Sequence, residues 1–297
     1  MKFTFKDFLV ISFAILILFI VFTTTTQKHQ PNKAQKLYQN NLDSVVEIFC
    51  PKNPTSKNGQ GGTGFFISED GLIATCAHVI YRSGKENEIC NTILIKIGNE
   101  KTPYYAEPYK IDREHDVAII RILQFTDFQQ EFKFAVDEKE AKKLDRKFKP
   151  LPLGKSKNLK GGETVYTIGY PEDFRRVFSD GLVCNELPSE AFISSMGTTF
   201  KEMVLSTICI THGNSGGPVF NERGEVVGII SIGSDSGFSL FQRVEYLNDL
   251  LNDKSDKVLV KDIIKEAEIL SITITVDPIC PVDPLEELDP TKPEEKK

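Results

Sequence analysis

The segment THGNSGGPVF, residues 211–220, sets three glycines and a proline around Ser215. Two readings are open for it. A tight turn between two strands would need the glycines for their backbone freedom and nothing else. A nucleophile loop would need more: a base, an orienting acid, and a fold that brings both to the serine.

The rest of the chain supplies candidates in a suitable order. Its histidines stand at positions 29, 78, 115 and 212. His78 closes the strand-like LIATCA and opens the next turn, a place at a sheet rim. Asp116 follows 38 residues on, directly before the apolar run VAII, and Ser215 another 99 residues on. His, Asp, Ser is one of the known chain orders of a nucleophilic triad. A serine hydroxyl attacks poorly at neutral pH until an imidazole takes its proton, and that imidazole needs a buried carboxylate to fix its tautomer. Developing oxyanion charge needs fixed donors, which the amides of Gly213 and Ser215 can provide if the loop is tight. Alone, the glycine loop is a turn, the rim histidine is structural and the aspartate ends a loop. Together, in this order and strand context, they point to a triad.

The surrounding text is strand-like. SVVEIFC (44–50), TGFFIS (63–68), LIATCAHVI (72–80), TILIKIG (92–98) and DVAIIRI (116–122) are short, β-branched and aromatic. Asn58-Gly59, Asp70-Gly71 and Gly98-Asn99 punctuate them. A second set follows in TVYTIGY (164–170), VFSDGLVC (177–184), MVLSTICI (203–210), VVGIISIG (226–233) and FSLFQRV (238–244). This spacing predicts an all-β chain with two small barrels in tandem, one over about 42–123 and one over about 151–250. Residues 124–150, charged and dotted with Phe, read as a connection or insertion. Residues 27–41 read as a polar linker, and 251–297 as an amphipathic helix over 258–270 followed by an acidic, proline-rich tail.

At 297 residues the chain is long enough to bury a sizeable core. A net charge of −6 offers no basic field, so no nucleic acid partner is expected. The six cysteines (50, 76, 90, 184, 209 and 280) show no zinc spacing, and neither a metal nor a cofactor is expected. Their connectivity stays open. At the N-terminus, Lys2 and Lys6 precede Phe8–Phe22, whose only polar residue is Ser12, and four threonines follow. An uncleaved signal anchor, a cleaved signal peptide and a buried helix all fit residues 1–26. The anchor is preferred because no small-x-small cleavage site follows. The expectation is a protein held in the membrane by this segment, or exported.

These motifs carry a resemblance. TGFFISEDGLIATCAHVI (63–80), HDVAIIRI (115–122), LPLGKSKNLKGGETVYTIGYP (151–171), SDGLVC (179–184) and THGNSGGPVFNERGEVVGIISIG (211–233) resemble the trypsin/chymotrypsin-like serine peptidases, most of all the HtrA/DegP-type branch. The likeness covers residues 42–250, about 70% of the chain. It implies two six-stranded antiparallel barrels of chymotrypsin type and a serine endopeptidase acting on protein substrates. His78 is then the general base, Asp116 the orienting acid, Ser215 the nucleophile, and the Gly213 and Ser215 amides the oxyanion hole. Trimers recur in that branch, so a homo-oligomer is implied. The alternative is a silent fold of the same type that only binds.

The departures from the family pattern are informative. About 46 residues follow Leu251, too few for the PDZ domain that usually follows the peptidase. His212 stands where Pro is frequent, beside a substrate subsite. The insertion near 127–149 and the loop 81–93 could cover or extend the cleft. Asn214 replaces the Asp that pairs with a freed amine in digestive relatives, so no zymogen cleavage is expected. For the specificity pocket the resemblance implies Cys209 and Ile210 near the base, Ser231, Ile232 and Gly233 along one edge, and Ser239 with its neighbours opposite. With Cys209 rather than an acid six residues before Ser215, a modest apolar P1 residue is expected, and Asp235 is the one acid that could contradict this.

Overall fold

Apolar residues alternate along the first strands with period two. β4 reads Ile-Leu-Ile-Lys-Ile with every second residue buried, as a strand with one face on a core requires. The computed structural model of the chain describes residues 5–25, 30–52, 56, 58–82, 88–100, 103–123, 146–171, 174, 176–185, 189–193, 198–233 and 237–253. In chain order these form α1 (Phe5–Thr25), α2 (Lys33–Asn41), β1 (Val45–Pro51), β2 (Gly59–Phe66), β3 (Leu72–Thr75), α3 (Ala77–Ile80), β4 (Ile93–Ile97), β5 (Tyr104–Asp112) and β6 (Val117–Leu123). There follow β7 (Thr164–Gly169), β8 (Val177–Leu182), β9 (Ser189–Ile193), β10 (Thr198–Ser206), β11 (Pro218–Phe220), β12 (Val226–Gly233), β13 (Ser239–Arg243) and α4 (Val244–Asn252).

The first six strands close into an antiparallel barrel in the order β1-β2-β3-β6-β5-β4, with Ile48 of β1 opposite Ile95 of β4 completing the circle. Its interior is filled by wholly buried Ile48, Phe66, Ile73, Ile95 and Ile120, which the strand register places on one face. The remaining strands form one antiparallel sheet in the order β8-β7-β11-β12-β13-β10-β9. Just past β8, Val183 bridges Ser206 of β10, with Cys184 N–H donating to the Leu205 carbonyl at 2.8 Å and Thr207 N–H to Leu182 at 3.0 Å. Those bonds bring the two ends of the β8-to-β10 run together around Val165, Val204, Val219, Ile230 and Phe241. The second unit therefore has one strand more than the six expected: β9 is added to the outer side of β10. The all-β class and the paired barrel-like sheets agree with the sequence reading.

The helices add detail. The expected N-terminal hydrophobic helix is present as α1. Among the described residues no helix is long and apolar enough to cross a membrane, so the anchor reading of residues 1–26 rests on the sequence alone. Residues 33–41, inside the segment read as a linker, form α2. Its start is set by a capping box in which the Asn32 side chain accepts from Gln35 N–H and the Gln35 side chain accepts from Asn32 N–H. Helix α4 falls where the sequence suggested the end of a strand. It packs Val244 and Leu247 into a hydrophobic cluster that draws on both barrels, and Lys110 of β5 donates to the carbonyls of Leu250, Leu251 and Asp253 at its C-terminal end. Most of the 124–150 connection and the proposed 258–270 helix with its tail lie outside the described residues.

One glycine decides how closely the two barrels approach. Gly216 has φ +88°, and a Cβ there would lie 2.1 Å from the Thr63 carbonyl oxygen of β2 and 2.2 Å from Thr75 Oγ1 of β3. Gly216→Ala is expected to lower the unfolding free energy by about 3–5 kcal/mol, combining backbone strain with a clash against backbone that cannot yield. Gly162 has φ +85° with nothing within 4 Å of its virtual Cβ, so Gly162→Ala should cost only about 1–2 kcal/mol of strain. Urea melts of the two variants, side by side, check the difference.

Candidate active site

β6 begins with a run of buried residues, and Asp116 sits at its mouth with φ +54°, a left-handed conformation that aspartate visits more readily than most residues. Its carboxylate is buried, 1% exposed, and accepts three hydrogen bonds. His78 N–H donates to Oδ1 at 2.9 Å, the His78 Nδ1–H donates to Oδ2 at 2.8 Å, and Ser231 Oγ–H donates to Oδ2 at 2.6 Å. With an ionised carboxylate as acceptor, His78 carries a proton on Nδ1 and leaves Nε2 for other work. The single turn α3 holds the imidazole in place. Its first residue, Ala77, donates to the Asp116 carbonyl at 3.2 Å, and the Gln60 side-chain amide of β2 donates to the carbonyls of His78 at 3.3 Å and Val79 at 2.8 Å.

The electrostatics follow from this burial. For His78, burial favours the neutral ring, but the charge of Asp116 and its hydrogen bond outweigh it and hold the imidazole above its ordinary pKa. For Asp116, burial favours the protonated acid, and the His78 charge with hydrogen bonds from His78 and Ser231 outweighs that, holding the carboxyl below its ordinary value. Cys76 lies behind the pair, wholly buried, its thiol pushed well up by burial and by Asp116.

Ser215 enters from the second sheet on the loop between β10 and β11. Asn214 N–H donates to the Thr211 carbonyl at 3.1 Å and Gly213 has φ +93°, a turn of the type that requires a positive φ at its third position. Gly216 N–H donates to the Ile230 carbonyl at 2.7 Å, and Thr63 N–H donates to the Ser215 carbonyl at 2.8 Å. The loop is thus tied to both barrels on either side of the serine. Among the described residues the amides of Gly213 and Ser215 have no internal acceptor. The Ser215 hydroxyl donates to the Ser231 carbonyl at 2.9 Å rather than to the imidazole.

The structure therefore brings His78, Asp116 and Ser215 into one hydrogen-bonded assembly, and the residue that joins them was given a different place by sequence reasoning. Ser231 was expected along a pocket edge. It is 3% exposed, its hydroxyl serves Asp116 and its carbonyl receives Ser215. No local signal in SIG marks that role, because its partners lie 115 and 16 residues away in sequence. Of the other expected pocket residues, Cys209 and Gly233 are exposed, Ile210 and Ile232 are half-buried, and a Cβ on Gly233 would lie 3.1 Å from Ile210. Ser239 does not share that surface: it is 1% exposed, and its hydroxyl is paired with Ser206 Oγ at 2.7 Å inside the sheet. His212 is exposed. The sulfur, imidazole and carboxylate atoms of Cys76, His78 and Asp116 lie within 4.8 Å of one another, close enough to hold a metal ion. Asp116 is occupied by its three donors and Cys76 donates to the Ile230 carbonyl at 3.1 Å, so these groups satisfy one another as a hydrogen-bonded network.

The sequence that carries this site matches a known class. Residues 62–229, more than half of the chain, match the family of trypsin-like peptidase domains. The chain belongs to the trypsin-like peptidases, and it is similar to serine proteases of the HtrA and DegP-like kind. Serine protease HTRA1A of Danio rerio is 28% identical over 248 residues, covering 79% of this chain and 45% of that protein. Serine protease HTRA1 of Xenopus laevis is 30% identical over 181 residues, 60% of this chain and 32% of that one. A probable periplasmic serine endoprotease, DegP-like, of Pseudomonas fluorescens is 32% identical over 186 residues, 61% and 31% of the two chains. The matched region spans about a third to under a half of the length of these relatives.

Proposed function

We propose that this chain is a serine endopeptidase that cleaves protein substrates through an acyl-enzyme, with His78, Asp116 and Ser215 as the catalytic residues. The observation that carries the reading is the buried Asp116 carboxylate receiving His78 Nδ1–H at 2.8 Å beside a Ser231 carbonyl that holds the Ser215 hydroxyl. On this reading the Ser215 hydroxyl turns from the Ser231 carbonyl to His78 Nε2 before attack. The Ser215 oxygen then attacks the scissile carbonyl as Nε2 takes its proton, and Asp116 stabilises the imidazolium. The negative oxygen of the tetrahedral intermediate is received by the Gly213 and Ser215 amides. As the C–N bond breaks, Nε2–H protonates the departing amine; water, deprotonated by the same nitrogen, then releases the acid and restores Ser215. His78 relays each proton, from Ser215 to the departing amine and from water back to Ser215, so the enzyme ends the cycle unchanged.

Cys209, Ile210, Ile232 and Gly233 are the surface on which a modest apolar P1 side chain would rest, with His212 beside it. The relatives include probable periplasmic endoproteases, which supports an exported protein, and the apolar run Phe8–Phe22 supports attachment to a membrane on that side. Assembly into a homo-oligomer is part of the same reading and rests on the resemblance to the HtrA branch. A second reading, a silent fold that only binds, is favoured by one observation: the Ser215 hydroxyl rests on Ser231 and not on His78.

Cleavage of unfolded casein against pH separates the two. The base works only when neutral, and Asp116 raises the proton affinity of His78. Activity should therefore climb with pH along a single acid limb whose midpoint lies above the ordinary histidine value of about 6.5, falling about tenfold per pH unit below it. Intact casein would support the silent reading instead, and cleavage indifferent to pH between about 5 and 8 would contradict His78 as the base.

A further inference from the structure

Thr63, the fifth residue of β2, is wholly buried in the first barrel and yet makes its bonds across to the second. Its N–H donates to the Ser215 carbonyl at 2.8 Å, and its hydroxyl donates to the Gly213 carbonyl at 2.7 Å. The same hydroxyl oxygen accepts from Tyr170 N–H, just past β7, at 2.9 Å. Its own carbonyl accepts from Thr75 Oγ1 at 2.8 Å, on the segment that runs through Cys76 and Ala77 to His78. We infer that Thr63 is a positioning residue for catalysis: it grips by their carbonyls the two residues, Gly213 and Ser215, whose amides are to receive the oxyanion, and ties them to the strand that leads to His78. This rests on the peptidase reading above.

The physical case turns on what the hydroxyl alone can do. The Thr63 N–H bond to Ser215 needs only backbone, so any residue at this position could keep it. The hydroxyl is different, because it is donor to Gly213 and acceptor from Tyr170 at once, which valine of the same shape cannot be. Without it, the buried Gly213 carbonyl and the buried Tyr170 amide lose their partner. The turn that fixes the Gly213 plane is then held from one side only, by the Asn214–Thr211 bond. A donor displaced by even about 1 Å costs on the order of 10²-fold in rate. Serine keeps the hydroxyl and gives up only a methyl group.

The test compares the full chain with Thr63→Val, Thr63→Ala and Thr63→Ser. It measures kcat and KM on a peptide substrate per mole of folded protein, and hydrogen–deuterium exchange of residues 211–217. The expected result is a kcat loss of about 10²-fold in Thr63→Val with KM within a few-fold of the parent, and near-parental kcat in Thr63→Ser. Exchange in 211–217 should rise in Thr63→Val and return in Thr63→Ser. Thr63→Ala, free of any shape clash, should follow Thr63→Val and gives the answer if that variant does not fold. Parental kcat and parental exchange in Thr63→Val or Thr63→Ala overturn the inference, as does a Thr63→Ser variant as impaired as the valine. If the parent itself cleaves nothing, the peptidase reading and the catalytic role of Thr63 fall together, whereas an active parent with an equally active Thr63→Val removes the Thr63 role alone.

Discussion

Ser215→Ala is expected to reduce turnover of a peptide substrate by about 10⁶-fold, to a residue of catalysis owed to binding and the oxyanion donors alone. The loss is large because the hydroxyl is the atom that forms the acyl bond, and nothing beside it in the loop can replace it: the neighbours are Asn214 and Gly216. Stability should change little. The hydroxyl makes one hydrogen bond, to the Ser231 carbonyl, and sits in a half-buried position. Its removal costs at most about 1 kcal/mol. Turnover per mole of folded protein, with thermal melts to establish folding, checks both halves. A variant that keeps more than a few per cent of parental turnover contradicts the assignment of the nucleophile.

Asp116→Asn is the second large effect, a fall of about 10⁴-fold in kcat. The shape is conserved but the chemistry is inverted. An amide offers one acceptor oxygen to three donors, His78 N–H, His78 Nδ1–H and Ser231 Oγ–H, and its NH₂ group presses the imidazole toward the tautomer that has no free Nε2. The charge that raises the proton affinity of His78 is also gone. Whatever activity remains should therefore keep its acid limb at lower pH than the parent, since the ring loses its proton more easily. A pH–rate profile of the variant reads both the depth of the loss and the direction of the shift. A profile whose limb stays in place would mean that Asp116 does not govern the base.

Much of this was legible because its signals are local. The strands announce themselves by β-branched alternation and glycine-bearing turns, and the three reactive residues each sit in a distinctive run: CAHVI, HDVAII and GNSGG. What was not legible depends on contacts between distant segments. Ser231 looked like a pocket edge because its value lies in reaching Asp116 across 115 residues. Thr63 looked like one more strand residue. Its four bonds run to Gly213, Ser215, Tyr170 and Thr75, and only the meeting of the two barrels creates them. Ser239 was placed on the pocket by resemblance, but its hydroxyl closes on Ser206 within the sheet. The two small helices failed for a different reason. Helix α2 carries a readable Asn-x-x-Gln capping box, but its polar composition suggested a linker. Helix α4 follows β13 with no glycine or proline between them, so its first residue, Val244, was absorbed into the strand pattern. The seventh strand of the second sheet, β9, pairs with β10 through a bulged register that alternation alone does not reveal.

The central claim is that Ser215 is an activated nucleophile in the folded chain, and a fluorophosphonate tests it without any knowledge of the natural substrate. Such a probe bonds to a serine oxygen only when a base removes the proton and donors receive the phosphoryl oxygen. Intact mass of the folded protein should show one adduct per chain, peptide mapping should place it on Ser215, and unfolding in urea or Asp116→Asn should suppress it. A folded chain that takes up no probe, or takes it up on a residue other than Ser215, contradicts the account.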